Sequence, residues 1–378
     1  MSRLEELIKE KFNNEIKFYE LGELEDNGVL QLGRGKIISK NEINNNPGDY
    51  PVYSSSSVGD GEIGRYGKYM FDDERITWSI DGGGKFFYRN NLKYSVTNVG
   101  GWIKVLKNDI ILTKYLYYSL INSWATQEYN YSKKAHPSVI RKEYIIPLPP
   151  LNVQKEIVDI LDVFQKNIEL NEKKYNESKK QIEWIKFHYL KNIDDAEIKT
   201  LGECCTVTKG KTPIQKAVPG DYPLVVTTSE RKSCDTYQFD TPSVCVPLVS
   251  SRGHGVASLN QVFYQEGKYG LGNILCAVIP NDSEFINTKY LYYYLNFFKD
   301  TKIVSLMKGG ANVALTMDSL KTVTVEVPPI KKQFEIMQKL ETCDKLSNSL
   351  MNKIILVNKQ YEYYRDLLLD FKEVQENV

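Results

Sequence analysis

Two glycine patterns and three histidines have the residue types that phosphate binding or catalysis would use. Gly59-Asp60-Gly61-Glu62-Ile63-Gly64 has the literal GxGxxG spacing of a dinucleotide loop. That chemistry needs a buried strand before the glycines and a helix N-terminus after them, so that backbone amides aim at a pyrophosphate. Here Ser54 to Ser57 come before and Gly67 comes after, and the pattern reads as a turn. Gly210-Lys211-Thr212 ends like a P-loop, but Cys205 stands where its first glycine is required and Pro213 follows, which leaves no amide cradle. His136, His188 and His254 are scattered, without the spacing of a triad or a zinc site, and His188 reads as a surface residue near the end of a helix. No Asn-Pro-Pro-Tyr or Asp-Pro-Pro-Tyr run, as an adenine-methylating enzyme would carry, occurs anywhere. The expectation is a chain without a catalytic residue, a metal or a cofactor of its own.

Composition narrows the class. The 378 residues are 42% hydrophobic and 26% charged, enough for two ordinary cores. The opening MSRLEELIKEKF has charges every few positions, and no later apolar run approaches the roughly 20 residues of a membrane span, so a soluble, cytoplasmic protein is expected. All six cysteines (Cys204, Cys205, Cys234, Cys245, Cys276, Cys343) fall in the second half with no CxxC pair, as expected of reduced thiols filling core positions. A net charge of +1 argues against binding nucleic acid by blanket electrostatics, so any such binding must come from local patches or be shared with a partner.

An internal duplication organises the chain. Leu21-Gly22-Glu23 recurs as Leu201-Gly202-Glu203, and Gly48-Asp49-Tyr50-Pro51 as Gly220-Asp221-Tyr222-Pro223. Thr113-Lys114-Tyr115-Leu116-Tyr117-Tyr118 recurs as Thr288-Lys289-Tyr290-Leu291-Tyr292-Tyr293, and Pro149-Pro150-Leu151 with Gln154 and Ile157 as Pro328-Pro329-Ile330 with Gln333 and Ile336. The offsets of 180, 172, 175 and 179 residues agree closely and the matches are collinear. Each copy begins with Gly-, Asn-, Ser- and Tyr-rich sequence containing short β-branched runs such as Arg75 to Ile80 and Val244 to Val249, which predict short strands and tight turns in a globular α+β domain. TKYLYY predicts a short helix on that sheet, N-capped by its Thr.

After the prolines each copy becomes one long helix. Ile157, Leu161, Phe164, Ile168, Asn171, Tyr175, Ser178, Ile182, Ile185 and Tyr189 alternate steps of four and three. Ile336, Leu340, Cys343, Ser347, Leu350, Ile354, Val357, Tyr361, Tyr364, Leu368 and Phe371 do the same. A sustained period of about 3.5 is a coiled-coil seam. The organisation read from this is an α+β domain over 1–150 including an N-terminal helix, a long helix over 151–194, a second α+β domain over 195–329 and a second long helix over 330–378.

The run Pro147-Leu148-Pro149-Pro150-Leu151-Asn152-Val153-Gln154-Lys155-Glu156-Ile157-Val158, leading into a heptad helix and repeated once, resembles the conserved regions of type I restriction-modification specificity subunits. Ser251 to Asn260, Phe263 to Tyr269 and Gly309-Gly310-Ala311-Asn312 resemble the interior of their target recognition domains. The second copy departs from the pattern, with Val325-Glu326-Val327 before its prolines and Phe334 beside Gln333. The resemblance implies two recognition domains related by a pseudo-two-fold axis and separated by two antiparallel helices. It implies a non-catalytic subunit that reads an asymmetric, bipartite site in double-stranded DNA. Its partners would be two methyltransferase subunits and, in the nuclease form, two restriction subunits. S-adenosylmethionine, ATP and Mg²⁺ would sit on those partners. Two other readings stay open at this point: a coiled-coil scaffold that binds no DNA, and an active DNA-modifying enzyme.

Polar loops flanked by basic residues are the candidate DNA contacts, because base edges need donors and acceptors while Lys, Arg and Ser hold phosphates. In the first copy these are Ser54, Ser55, Ser56, Arg65, Lys85, Arg89, Asn98, Lys133 and Lys134. In the second they are Thr228, Ser229, Arg231, Lys232, Ser251, Arg252, His254, Lys268, Lys308 and Asn312. Apolar residues off the seam, Val158, Val163, Ile193, Met337, Met351 and Ile355, are candidates for docking the methyltransferases.

Overall fold

A computed structural model describes residues 16–55, 59–127, 129, 133–191, 193–253 and 255–371. It divides into two compact units, Met1–Asn171 with Lys353–Val378, and Glu172–Asn352. The first contains β1 (Lys17–Glu20), α1 (Leu21–Asp26), β2 (Leu30–Arg34), α2 (Lys40–Asn45), β3 (Tyr50–Tyr53), β4 (Glu62–Tyr66), β5 (Arg75–Ser79), β6 (Phe86–Arg89), β7 (Ser95–Val96), β8 (Gly100–Val105), α3 (Thr113–Trp124), α4 (Pro137–Glu143), β9 (Ile145–Leu148) and the start of α5 (Leu151–Leu190). The second contains β10 (Glu197–Thr200), α6 (Leu201–Cys204), β11 (Cys205–Lys209), β12 (Tyr222–Val225), β13 (Lys232–Cys234), β14 (Phe239–Asp240), β15 (Ser243–Pro247), β16 (Phe263–Gln265), β17 (Lys268–Leu271), β18 (Leu275–Pro280), α7 (Thr288–Phe297), α8 (Met317–Lys321), β19 (Thr324–Val327) and the start of α9 (Ile330–Leu369).

The sequence repeat is a topological repeat. An antiparallel sheet ordered β2-β8-β5-β6 in one unit corresponds to β11-β18-β15-β16 in the other. A smaller sheet places β3 parallel to β7 through Val52 opposite Ser95, and β12 parallel to β17 through Leu224 opposite Gly270. The GDYP motif enters both smaller sheets at a close approach that excludes a side chain. A Cβ on Gly48 would lie 2.5 Å from Gly67 Cα, and one on Gly220 would lie 2.4 Å from Asp235 Cα. The TKYLYY helices pack on the larger sheets, with Tyr115, Leu116 and Leu120, or Tyr290, Leu291 and Leu295, fully buried. Their caps differ from the sequence expectation. Thr113 and Thr288 are the first helical residues, and the cap is Leu112 in one copy and Asn287 in the other. Only Asn287 accepts backbone N–H groups there, from Lys289 and Tyr290.

Both heptad seams are buried or half-buried throughout, down to Asn171 at 3% exposure, whose Nδ2 donates to the Asn167 carbonyl at 2.7 Å. In the first unit Leu161 and Leu368 share one core, and Phe164 stacks on Tyr364 at 5.2 Å. In the second, Lys186 pairs with Asp344 at 2.8 Å and Lys339 donates to the Tyr189 hydroxyl at 2.7 Å. The start of α5 thus meets the end of α9, and the end of α5 meets the start of α9, so the two helices run antiparallel. All six cysteines are buried free thiols. Among the described residues no helix is long and apolar enough to cross a membrane.

Candidate nucleic-acid interface

The site begins with the contacts that fix each domain to its long helix. Gln154, fully buried in the first turn of α5, accepts the Leu112 N–H at 2.9 Å and donates to the carbonyls of Ile110 and Pro149 at 3.0 and 2.8 Å. Gln333 on α9 does the same with Asn287, Phe285 and Pro328, each at 2.8 Å. Two turns further on, Lys114 and Tyr118 of α3 reach Asp162 at 2.7 and 2.6 Å, and Lys289 of α7 pairs with Glu341 at 2.5 Å. Tyr115 donates to the Pro147 carbonyl and Tyr290 to that of Glu326, at 2.9 and 2.6 Å. Buried carbonyls and amides demand partners, and these side chains supply them identically in both copies.

On this frame three loops of the first unit converge. Ser55 Oγ contacts Ser79 Oγ at 2.9 Å and accepts the Asp81 N–H at 2.6 Å, while Ser54 Oγ contacts Thr97 Oγ1 at 2.8 Å. Ala135 N–H donates to Ile80, Trp78 Nε1 to the Ala135 carbonyl and Trp124 Nε1 to the Gly83 carbonyl. A Cβ on Gly82 would meet the Ser55 carbonyl at 2.3 Å, so the loop comes this near only with glycine there. Lys134 pairs with Asp81 at 3.1 Å and Lys133 with Glu143 at 3.0 Å, surface pairs weak enough to exchange for a phosphate.

In the second unit the connection after β15 (Leu248 to Val262) is longer than its counterpart after β5 (Ile80 to Lys85), and the one after β12 (Val226 to Arg231) is shorter than its counterpart after β3 (Ser54 to Gly61). Ser250 N–H donates to the Val313 carbonyl, Ser251 N–H to that of Ser258, and Gln261 Nε2 to Ser229 Oγ at 3.1 Å. Lys308 and Ala314 exchange backbone hydrogen bonds. Of these, Ser250, Ser251 and Gln261 border a cleft of about 280 Å³ with Thr227, Thr228, Asn260 and the apolar Pro247, Val249 and Leu259. Arg252, Lys308 and Asn312 are exposed on the same loops.

The structure thus groups Ser54, Ser55, Lys85, Lys133 and Lys134 on the loops of one unit and Thr228, Ser229, Ser251, Arg252, Lys308 and Asn312 on those of the other. Ser56 and His254 lie outside the described residues. Other candidates are engaged elsewhere. Arg89 is 6% exposed, so it is not a surface contact: its guanidinium lies over the Tyr53 ring at 3.4 Å and donates to Thr77 Oγ1 at 3.1 Å and to the Asp60 carbonyl. Burial pulls its pKa below the ordinary arginine value, a pull that Tyr53 and Asp60 counter. Arg65 pairs with Glu62 at 3.1 Å and reaches the Asp49 carbonyl, and Asn98 offers its own carbonyl to Arg34. Arg231, half-buried, donates to Gln265 Oε1 at 3.0 Å and packs on Phe263. Lys232 and Lys268 are exposed on the smaller sheet, on β13 and β17. Gln261, Asn260 and Ser250 were not singled out from sequence, although the stretch from Val249 to Gln261 outgrows its counterpart from Asp81 to Lys85.

Of the docking candidates, Val163, Met351 and Ile355 are exposed at 68%, 39% and 47%. Met337 belongs to the core of the second unit, and Val158 and Ile193 pack half-buried on the cores of their own units. These three sit where a long helix meets its domain, so the off-seam face is already covered there.

Comparison with known proteins adds to this geometry. The model of the type I restriction modification DNA specificity domain matches the chain twice, over residues 13–180 and 193–358. A putative type I specificity subunit of Mycoplasma pneumoniae is 30% identical over 372 residues, covering 92% of this chain and 97% of that protein. A putative type I restriction enzyme specificity subunit of Haemophilus influenzae is 28% identical over 370 residues, covering 86% and 89%. The fold is similar to the crystal structure of a type I restriction-modification system S subunit from M. genitalium, with a TM-score of 0.61 at 15% identity over 96% of this chain and 98% of that one. With the domain matched in both copies and a relative aligned over nearly its whole length, the chain belongs to the family of type I restriction-modification specificity subunits.

Proposed function

We propose that this chain is the non-catalytic, DNA-reading subunit of a type I restriction-modification complex, and that each loop cluster reads one half of an asymmetric, split target in double-stranded DNA. The observation that carries the reading is one scaffold built twice under two different polar crowns. The clamps at Gln154 and Gln333 are the same, whereas the loops that top the sheets differ in length and in their side-chain hydrogen bonds, sharing the backbone bond from Ala135 to Ile80 and from Leu315 to Leu248. Ser, Thr, Asn and Gln in the cleft near Gln261 are suited to base edges, and Arg252, Lys308, Lys133 and Lys134 to phosphates. A net charge of +1 leaves little surplus against a polyanion, so partner subunits supply much of the affinity. Those partners are two methyltransferase subunits, docked on the exposed apolar positions Val163, Met351 and Ile355, and two restriction subunits in the nuclease form. S-adenosylmethionine, ATP and Mg²⁺ belong to them.

The test is to purify the chain with its methyltransferase, offer a random DNA library with S-adenosylmethionine, and sequence the methylated molecules. One motif of two different short words around an unread gap is expected. Enrichment of a single contiguous word, or none, overturns the proposal.

A further inference from the structure

We infer that the paired clamps between each short TKYLYY helix and its long helix are positioning devices that fix the length of the gap between the two DNA half-sites. This rests on the split-target reading above and names the residues that set its geometry. A single attachment is a pivot, and two attachments fix an angle. In the first unit Gln154 ties the entry of α3 to α5, and Asp162 ties the body of α3 to α5 through Lys114 and Tyr118. The two points are eight residues apart on α5, about 12 Å along its axis at about 1.5 Å per residue. The second unit repeats the arrangement with Gln333 and Glu341 on α9, again eight residues apart. Neither clamp lies in the loop clusters, and the glutamines are fully buried, so they touch no DNA and act through the helices.

The lever arm makes small angles matter. Each long helix has 40 residues and is about 60 Å long. A tilt of about 5° at its anchored end moves the other end by about 5 Å, more than the roughly 3.4 Å of one base-pair step. A chain whose clamps hold therefore accepts one gap length, and a chain whose clamps are loosened accepts its neighbours as well.

The experiment uses the methyltransferase complex and a DNA pool in which the two half-sites are fixed and the gap varies base pair by base pair, read by sequencing methylated molecules. The wild type should prefer one gap by about tenfold over gaps one base pair longer or shorter, and Gln154→Leu with Gln333→Leu should reduce this preference to about threefold or less while leaving both words unchanged. Asp162→Asn with Glu341→Gln is the milder variant, in case the buried substitutions impair folding, and should broaden the gap in the same direction. Asp162→Glu, which installs the acid native to the other copy, should keep the sharp preference. Leu161→Ala, chosen to lower thermal stability without touching a clamp, is the control. The inference is overturned if the clamp variants keep the single gap, or if Leu161→Ala broadens it equally. A wild-type complex that selects no split site at all removes the underlying reading instead, an outcome that the wild-type lane alone reveals.

Discussion

The first and second units answer the same structural problem with the same residues in one place and with different residues in another. Where α3 or α7 meets its long helix, Gln, Tyr, Lys and an acid recur with matching partners, because the carbonyls of Ile110 and Phe285 are fixed features of the backbone path and accept few substitutes. At the edges of the sheets chemistry is free to change. Arg89 stands inside the first unit, whereas the second brings Arg231 from a loop onto β16. Where β5 opens with Arg75, set over Phe71 at 3.9 Å and paired with Asp73 at 2.6 Å, β15 opens with Ser243, whose hydroxyl meets that of Tyr269. The two copies keep the contacts that hold each domain to its long helix and differ in the chemistry around their sheets.

The largest test of this comparison is the clamp. Gln154→Ala and Gln333→Ala each leave one buried N–H and two carbonyls short of a partner, and should each cost about 3 kcal/mol. Denaturant midpoints of the two variants should fall by similar amounts. Unequal losses would show that one copy relies on its clamp and the other does not. Arg89 against Arg231 tests the opposite half of the comparison. Arg89→Ala strips a buried guanidinium from Tyr53, Thr77 and Asp60 and should cost about 2 kcal/mol, whereas Arg231→Ala removes a half-buried one and should cost about 1 kcal/mol. Equal costs would mean that burial does not distinguish the two sites.

What the sequence made legible follows the same division. Long helices with a 3.5 period bury a stripe whatever they pack against, so each seam residue from Ile157 to Tyr189 and from Ile336 to Phe371 could be named in advance. The duplicated frame was legible because its anchors are local and collinear. The role of Gln154 and Gln333 was not, although a polar residue recurring at a fixed distance after two prolines was the available signal. The burial of Arg89 was not legible because exposure of a basic residue on an edge strand depends on which loop folds over it, here the one carrying Asp60, and no local pattern encodes that. Met337 follows the seam residue Ile336, and only the presence of the domain against the first turns of α9 buries it. The TKYLYY cap lies one residue before the Thr in both copies, at Leu112 and Asn287, and only Asn287 has a side chain that accepts amides there.

The loops give a smaller effect. Arg252→Ala and Lys308→Ala remove exposed charges and should leave stability within about 0.5 kcal/mol. In the methyltransferase complex each should weaken DNA binding uniformly across sequences, and the double variant should lower the salt dependence of binding by about two phosphate contacts. An unchanged salt slope would remove both residues from the interface, and a changed word in the second half-site would assign them to bases instead of phosphates.

The smallest effect separates the two units by pH. Burial pushes the Asp73 carboxyl up, but its bonds to Arg75 and Lys104 outweigh this and hold it below the usual carboxylate range. A depressed folded-state value means that the stabilisation is fully present above the unfolded value of about 3.9 and is lost as pH falls through the lower folded value. The side chain is 31% exposed, so after solvent screening the contribution is below about 1 kcal/mol. The corresponding position of the second unit holds the Ser243–Tyr269 hydroxyl pair, in which nothing titrates in acid, since burial pushes the Tyr269 phenol further up from its ordinary value. Asp73→Asn should therefore destabilise the chain near pH 6 by an amount that shrinks once the pH drops below about 4. Ser243→Ala should cost the same at both. Thermal melts of the two variants and the wild type across this range check the contrast. An Asp73→Asn deficit that stays constant into acid would show that the pairs with Arg75 and Lys104 do not stabilise the folded carboxylate, and an acid-sensitive Ser243→Ala deficit would place a titrating group where the comparison puts none.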